Sequence, residues 1–412
     1  MTGEVIVTTL SNGLRVASLA MPALRTAAIG LVADVGARHE GAQENGLAHL
    51  FEHMLFKGTA RRSARQIAEA IEDVGGALNA WTSRDGTMFH GRVLERHIPL
   101  AVDLLSDLVR HPRFDPADLA LEKQVVLSEI GEAADAPEDL VFDLVQAAAF
   151  PEQPMGRPIL GTAESLDGLT ADALSGWRER HYAGERLILA AAGAVDHAAL
   201  VALAQTHLDD LPTAPAADPE PCRWVGGHVA ERRRSEQTHI VIAFPGPGLH
   251  APDHYAGQLW ATALGGGMSS RLFQLLREER GLAYSVGAFH SPHAELGMTS
   301  ISLSTNPRDA STAAGLALDI AHALAADLQP AELERARAQL KAGLLMGLES
   351  CAGQADWIGR TLHAFGRPVP VAEVEDAIDA ITLEEVRAAG SAILDATPAV
   401  ASVGPKPLSR LP

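Results

Sequence analysis

Two pairs of segments far apart in the chain repeat one another at nearly the same spacing. DPADLALEKQVVLSEI, from Asp115, parallels QPAELERARAQLKAGL, from Gln329, and LDGLTADAL parallels IDAITLEEV. Pro116 precedes Pro330 by 214 residues and Thr170 precedes Thr382 by 212. Earlier in each half, RTAAIGLVADVGAR and QTHIVIAFPGPGLH give a β-rich run followed by a glycine-containing loop. A helical stretch comes next in both, GLAHLFEHMLF in one half and HYAGQLWATAL in the other. Self-similarity on this scale, weak but in register, points to two copies of one plan. Between them, DDLPTAPAADPEPCRW is rich in proline and alanine and has neither helical nor strand period, which suits a linker. The expected organisation is a first domain over 1–210, a linker over 211–222 and a second domain over 223–412.

Each half alternates strands with helical stretches. SARQIAEAIEDVGG starts on a serine N-cap and ends on glycines, as a helix should. GALNAWTSRDGTMFHGRVL reads as two β runs joined by a turn at SRDG, and TSISLST alternates as a strand. Each half is therefore expected to be an α+β domain, a mostly antiparallel sheet with helices packed on one face. With 412 residues, 47% hydrophobic and 21% charged, the chain can fill such cores. A net charge of −19 argues against nucleic acid as a partner. It is compatible with a basic peptide, although acidity also serves solubility. The two cysteines, Cys222 and Cys351, have neither metal-ligand nor disulfide-framework spacing, which points to a reducing compartment. No secretory leader pattern opens the chain and no apolar run has membrane length, so the expectation is a cytoplasmic protein without a membrane partner.

GLAHLFEHMLFKGT holds His49, Glu52 and His53, the reverse of the zinc-peptidase order H-E-x-x-H. On a helix, positions 49 and 53 project from one face, and two nitrogens held this way suit Zn²⁺. Glu52 sits where its carboxylate reaches a water at the metal without being a ligand. A helix with two ordinary histidines is the alternative, and the pattern arises by chance in roughly one sequence in twenty of this composition. A catalytic zinc needs a third protein ligand. LEKQVVLSEIGEA puts Glu122 and Glu129 seven residues apart on one helical face, and the repeat has Ala336 and Gly343 in their places. The matching helix of the second half, YAGQLWATAL, also lacks the histidines. Candidate metal ligands thus cluster in one of two copies.

With these motifs the chain resembles the pitrilysin/insulysin superfamily of inverted zincins, the H-x-x-E-H metallopeptidases. Within that superfamily it is most similar to the half-length branch related to the mitochondrial processing peptidase. LSNGLRV, GLAHLFEHMLFKGT, GGALNAWTSRDGT, GRPILGT and RLFQLLREERGLAYSV follow the family order over nearly the whole chain. The resemblance implies one Zn²⁺ per chain, bound by His49, His53 and a glutamate about 76 residues beyond the second histidine, which is Glu129. It implies Glu52 as general base and Glu122 as the group that orients a ligand. Asn79 and Ala80 fall on the strand that holds substrate by strand addition. Arg277 and Tyr284 match a pair that reaches from the opposite domain to the substrate carbonyl and its developing oxyanion. The implied activity is a zinc endopeptidase acting on unfolded or extended peptides inside a dimeric chamber. A homodimer is preferred to a heterodimer with a related chain, because both motifs occur here. The rival is a non-catalytic scaffold or partner subunit of the same fold, which typically loses metal residues.

Four further places are read without a catalytic role. LGGGMSSRLF lacks the ending of a phosphate loop, so its glycines end one helix before Ser269 or Ser270 caps the next. His290 and His293, in HSPH, are expected in a solvated loop. Phe89 stands where the relatives commonly have tyrosine, and Glu185-Arg186 where they usually have asparagine.

Overall fold

The computed structural model describes residues 3–213 and 219–412, so the middle of the expected linker lies outside the described residues. The first half opens with strands β1 (Ile6–Thr9), β2 (Arg15–Ala20) and β3 (Thr26–Ala33), then helices α1 (Leu47–Leu55) and α2 (Ala64–Glu72). The hairpin β4 (Ala77–Thr82) and β5 (Thr87–Leu94) follows, turning at SRDG as expected. Helices α3 (Ile98–Arg110), α4 (Pro116–Asp135), α5 (Pro137–Ala149), α6 (Ala163–Gly168) and α7 (Ala171–His181) come next, then β6 (Leu187–Gly193) and α8 (His197–Leu208). The second half begins with β7 (Gly227–Arg232), β8 (Thr238–Pro247) and α9 (His254–Gly265), then a π-helical turn at Phe273–Glu279. It continues with β9 (Ala283–Ser291), β10 (Leu296–Thr305), α10 (Ala310–Asp327) and α11 (Pro330–Gly347). Helices α12 (Cys351–Phe365), α13 (Val371–Ala380) and α14 (Leu383–Leu394) precede the last strand, β11 (Ala399–Gly404).

The strands form two sheets, ordered β1-β2-β6-β3-β5-β4 and β7-β11-β8-β10-β9. Apart from β1, the two orders coincide strand for strand. Each sheet is antiparallel except for one parallel pair, β2 with β6 and β7 with β11. The helices repeat as well. Both α4 and α11 start on a proline, where a missing N–H costs nothing. Both α7 and α14 start on a threonine, Thr170 and Thr382, whose hydroxyl accepts a backbone N–H of the first turn. The fold is thus α+β and duplicated.

The two compact units do not follow a single cut in the sequence. One comprises Met1–Ile130, Pro158–Glu220 and Met346–Val369; the other comprises Gly131–Arg157, Pro221–Leu345 and Pro370–Pro412. Besides its main helical layer, each sheet carries one helix on its other face, and that helix comes from the opposite half of the sequence. In the first unit Ala355, Ile358 and Leu362 of α12 pack on Ala28, Val32, Met88, Ile188 and Ala190. Gly359 faces Val32, where an added Cβ would lie 2.7 Å from Val32 Cγ2, so a glycine lets helix and sheet approach. In the second unit Val141, Val145 and Ala149 of α5 pack on Val241, Ala243, Ala399 and Ala401. The helices α5 and α12 hold equivalent places in the two copies, so the exchange is reciprocal. Burial on both faces explains why β6, LILAAAG, is apolar throughout. The remaining face of the first sheet, including Ile29, Leu31, Leu189 and Phe89, joins α1, α3 and α8 in the largest core. Among the described residues no helix is long and apolar enough to cross a membrane.

Candidate metal centre

Three devices fix α1, the helix of the reversed motif. Its apolar face, Leu47, Leu50, Phe51, Met54 and Leu55, is buried, and the Phe51 ring lies 4.8 Å from that of Tyr182 and 5.7 Å from that of Phe114. Its N-terminus is held by Glu40, a buried carboxylate that accepts the backbone N–H groups of Gly46 at 2.9 Å and Ala48 at 2.8 Å. A carboxylate there also suits the positive end of the helix. Gly46 enters the helix at φ 89°, and a Cβ on it would come within 2.8 Å of Leu160 O. Beyond the C-terminus, Thr59 and Arg62 both donate to the buried Asp107 of α3, at 2.8 and 2.7 Å.

On the other face of α1 the two imidazoles stand with ring centroids 4.4 Å apart. Glu129 of α4 meets both. His49 Nε2 lies 3.8 Å from Glu129 Oε2, and His53 Nε2 lies 3.8 Å from Glu129 Oε1. These distances are too long for hydrogen bonds. They approach the spacing of about 3.4 Å between ligands of a tetrahedral zinc with bonds of about 2.1 Å. One donor atom from each of the three residues lies within 4.8 Å of the others, and Glu129 Oε2 is buried without a hydrogen-bond partner. Two imidazole nitrogens and one carboxylate oxygen are one of the donor sets that catalytic zinc takes. The residues therefore fit the ion.

The electrostatics suit the same ion. Burial, assisted by the neighbouring His53, pushes the His49 imidazole down to about 4, so it is neutral and keeps a free lone pair near neutral pH. His53 is oriented from behind: its Nδ1–H donates to Glu122 Oε1 at 2.9 Å, which leaves Nε2 turned towards Glu129. Glu122 is buried and also receives the Lys57 ammonium at Oε2. Burial raises the Glu52 carboxyl; the Thr82 hydroxyl and His53 oppose that rise, and Glu129 adds to it. Glu52 is not in the three-residue cluster. Its Oε2 accepts a short hydrogen bond from Thr82 Oγ1 at the end of β4.

The structure thus brings His49, Glu52, His53, Glu122 and Glu129 together in one unit. Asn79 and Ala80 lie on β4, the terminal strand of the same sheet, and Asn79 Oδ1 accepts the Ala80 N–H at 2.9 Å. Arg277 and Tyr284 belong to the second unit, on the π-helical turn and on β9. The guanidinium carbon stands 5.6 Å from the Tyr284 ring centroid, and the ring is largely exposed. Reading the sequence missed Thr82, Lys57 and Glu40. For Thr82 a signal existed, since strand alternation puts it on the same face as Leu78 and Ala80, which pack on the core beneath α1. His290 is not in a solvated loop: it lies in β9, bonded to Thr299 Oγ1 at 2.9 Å and Pro247 O at 3.0 Å. Ser270 does cap the helix after the glycines, accepting the Phe273 N–H. Phe89 is buried against Tyr182, and Arg186 is buried with a bond to His181 Nδ1 at 2.9 Å; neither touches the cluster.

The family model for insulinase (peptidase family M16) matches residues 15–163, and that for the peptidase M16 inactive domain matches residues 168–340. An uncharacterized zinc protease of Rickettsia bellii is 35% identical over 404 residues, with 98% of each chain covered. One from Mycobacterium tuberculosis is 38% identical over 405 residues, covering 97% of this chain and 92% of the relative. Among solved structures, a peptidase M16 inactive domain from Pseudomonas fluorescens superposes with a TM-score of 0.90 at 24% identity over 99% of both chains. A protease from Helicobacter pylori gives 0.90 at 18% identity, over 98% of this chain and 100% of that one. At these identities the two structures speak for the fold.

Proposed function

The chain belongs to peptidase family M16, and from that membership and the geometry of its metal cluster we infer that it is a zinc-dependent endopeptidase acting on unfolded or extended peptides. The observation that carries this reading is the convergence of His49, His53 and Glu129 beside a glutamate that is held apart from them. One zinc per chain would be bound by those three residues. Zinc in that place supplies Lewis acidity towards a peptide carbonyl and towards water. Glu52 takes the proton of the attacking water and returns it to the departing amine. Glu122 keeps the His53 ring turned for ligation. The place of β4 at the end of its sheet supports substrate binding by strand addition, with the backbone around Asn79 and Ala80 pairing to the peptide. Arg277 and Tyr284 are proposed as donors to the substrate carbonyl, a role supported by the resemblance and by their close pairing. A homodimer is the proposed assembly.

The test is zinc content by elemental analysis together with cleavage of an unstructured basic peptide. The expected result is about one zinc per chain, with Glu52→Gln keeping its zinc and losing kcat by a factor of roughly 100 to 10,000. A zinc-free wild type, or a Glu52→Gln variant as fast as wild type, would falsify the reading and favour a partner-subunit role.

A further inference from the structure

A general base that neighbours a metal must be kept from becoming a ligand and must keep one oxygen free. Glu52 is flanked in sequence by a proposed ligand, His53. Its Oε2 is tied by the Thr82 hydroxyl, and Oε1 has no hydrogen-bond partner among the described residues. Thr82 donates from the last residue of β4, the strand that also carries Asn79 and Ala80. The pleat sets which side chains can do this. Leu78, Ala80 and Thr82 face the core under α1, whereas Trp81 faces the layer formed by α12. At this strand end the pleat places the Thr82 γ-hydroxyl on Glu52.

We propose that Thr82 is a positioning residue for the general base: its hydroxyl holds Glu52 Oε2, aims Oε1 at the reacting water, and ties the base to the strand on which substrate would be paired. The inference rests on the peptidase reading for its kinetic part, while the contact itself is independent of activity. A peptide pairing along β4 would then be laid down in fixed register with the base.

The test compares Thr82→Val, which keeps shape and β-propensity, with Thr82→Ser, which keeps the hydroxyl. In the zinc-loaded protein, Thr82→Val is expected to lower kcat between about tenfold and a hundredfold, the range for a hydrogen bond to a charged group, with KM and zinc content near wild type. Thr82→Ser is expected to recover most of that loss. In the metal-free protein at fixed pH, the ¹³C carboxyl signal of Glu52, assigned by its loss in Glu52→Gln, should shift in Thr82→Val and stay in place in Thr82→Ser. A Thr82→Val variant within twofold of wild-type kcat, or an unmoved Glu52 signal, overturns the proposal. If the wild type cleaves no peptide while the signal shifts as expected, the peptidase reading fails and the positioning contact stands.

Discussion

Burial, helped by nearby charges, presses several histidines of this protein towards their neutral form. At the candidate metal centre, burial lowers His49 so that its lone pair is available. Elsewhere in the first unit, His181 is pushed down to about 3 by burial, then by Arg186 and His39, and His39 is pushed down to about 4 by burial and then Arg186. Released by unfolding, both rings take up a proton near 6.5. Between pH 6.5 and about 4 the unfolded chain therefore binds more protons than the folded one. The stability these rings contribute is whole above 6.5 and is lost as pH falls through that window. The melting temperature is expected to decline on going from pH 7 to pH 4.5. In His181→Gln, which has no titratable ring, the decline should be visibly shallower; a slope identical to wild type would show that other groups govern it. The residues of the candidate site were readable in unequal measure. His49, Glu52 and His53 are adjacent, and Glu129 stood out because its copy in the second half is Gly343. Thr82 and Glu40 were not, because their partners lie on other elements and only the fold brings them together.

At the scale of elements, α1 depends on a left-handed entry that only glycine takes without strain. Gly46→Ala imposes a cost of roughly 1–2 kcal/mol for that conformation in an L-residue. It also pushes a methyl group into Leu160 O, 2.8 Å away. The expected result is a lower melting temperature by calorimetry and weaker zinc binding by chelator competition, since the start of α1 sets where His49 points. Unchanged values of both would mean that the loop at Leu160–Gly161 yields easily. The duplication of elements was legible because capping residues and prolines keep their spacing: Thr170 and Thr382 cap equivalent helices. The partners of α5 and α12 were not. A hydrophobic period announces that one face of a helix is buried, and it says nothing about which sheet covers it. The wholly apolar β6 held the clue that the first sheet needed a second cover.

For the molecule as a whole, the exchange of α5 and α12 makes the two halves of the sequence incomplete as separate chains. Residues 1–220 alone lack the helix that covers Val32, Met88, Ile188 and Ala190. Expressed alone, that fragment should expose the apolar face and aggregate or bind a hydrophobic dye. Co-expressed with residues 221–412, it should be recovered as a soluble complex, read by size exclusion. A monomeric, cooperatively melting 1–220 fragment would show that α12 is dispensable. In the intact chain, Ile358→Ala should cost about 2–5 kcal/mol, because its side chain is buried in that layer.

The same exchange sets a clock on synthesis. The strand β6 completes the first sheet when it leaves the ribosome, but α12 is made about 160 residues later. At ordinary translation rates of about 5–20 residues per second, one side of a finished sheet stays bare for roughly 8–30 s. A nascent chain of this kind is most exposed to misassociation midway through translation, and a slow stretch of codons after β6 would lengthen that window.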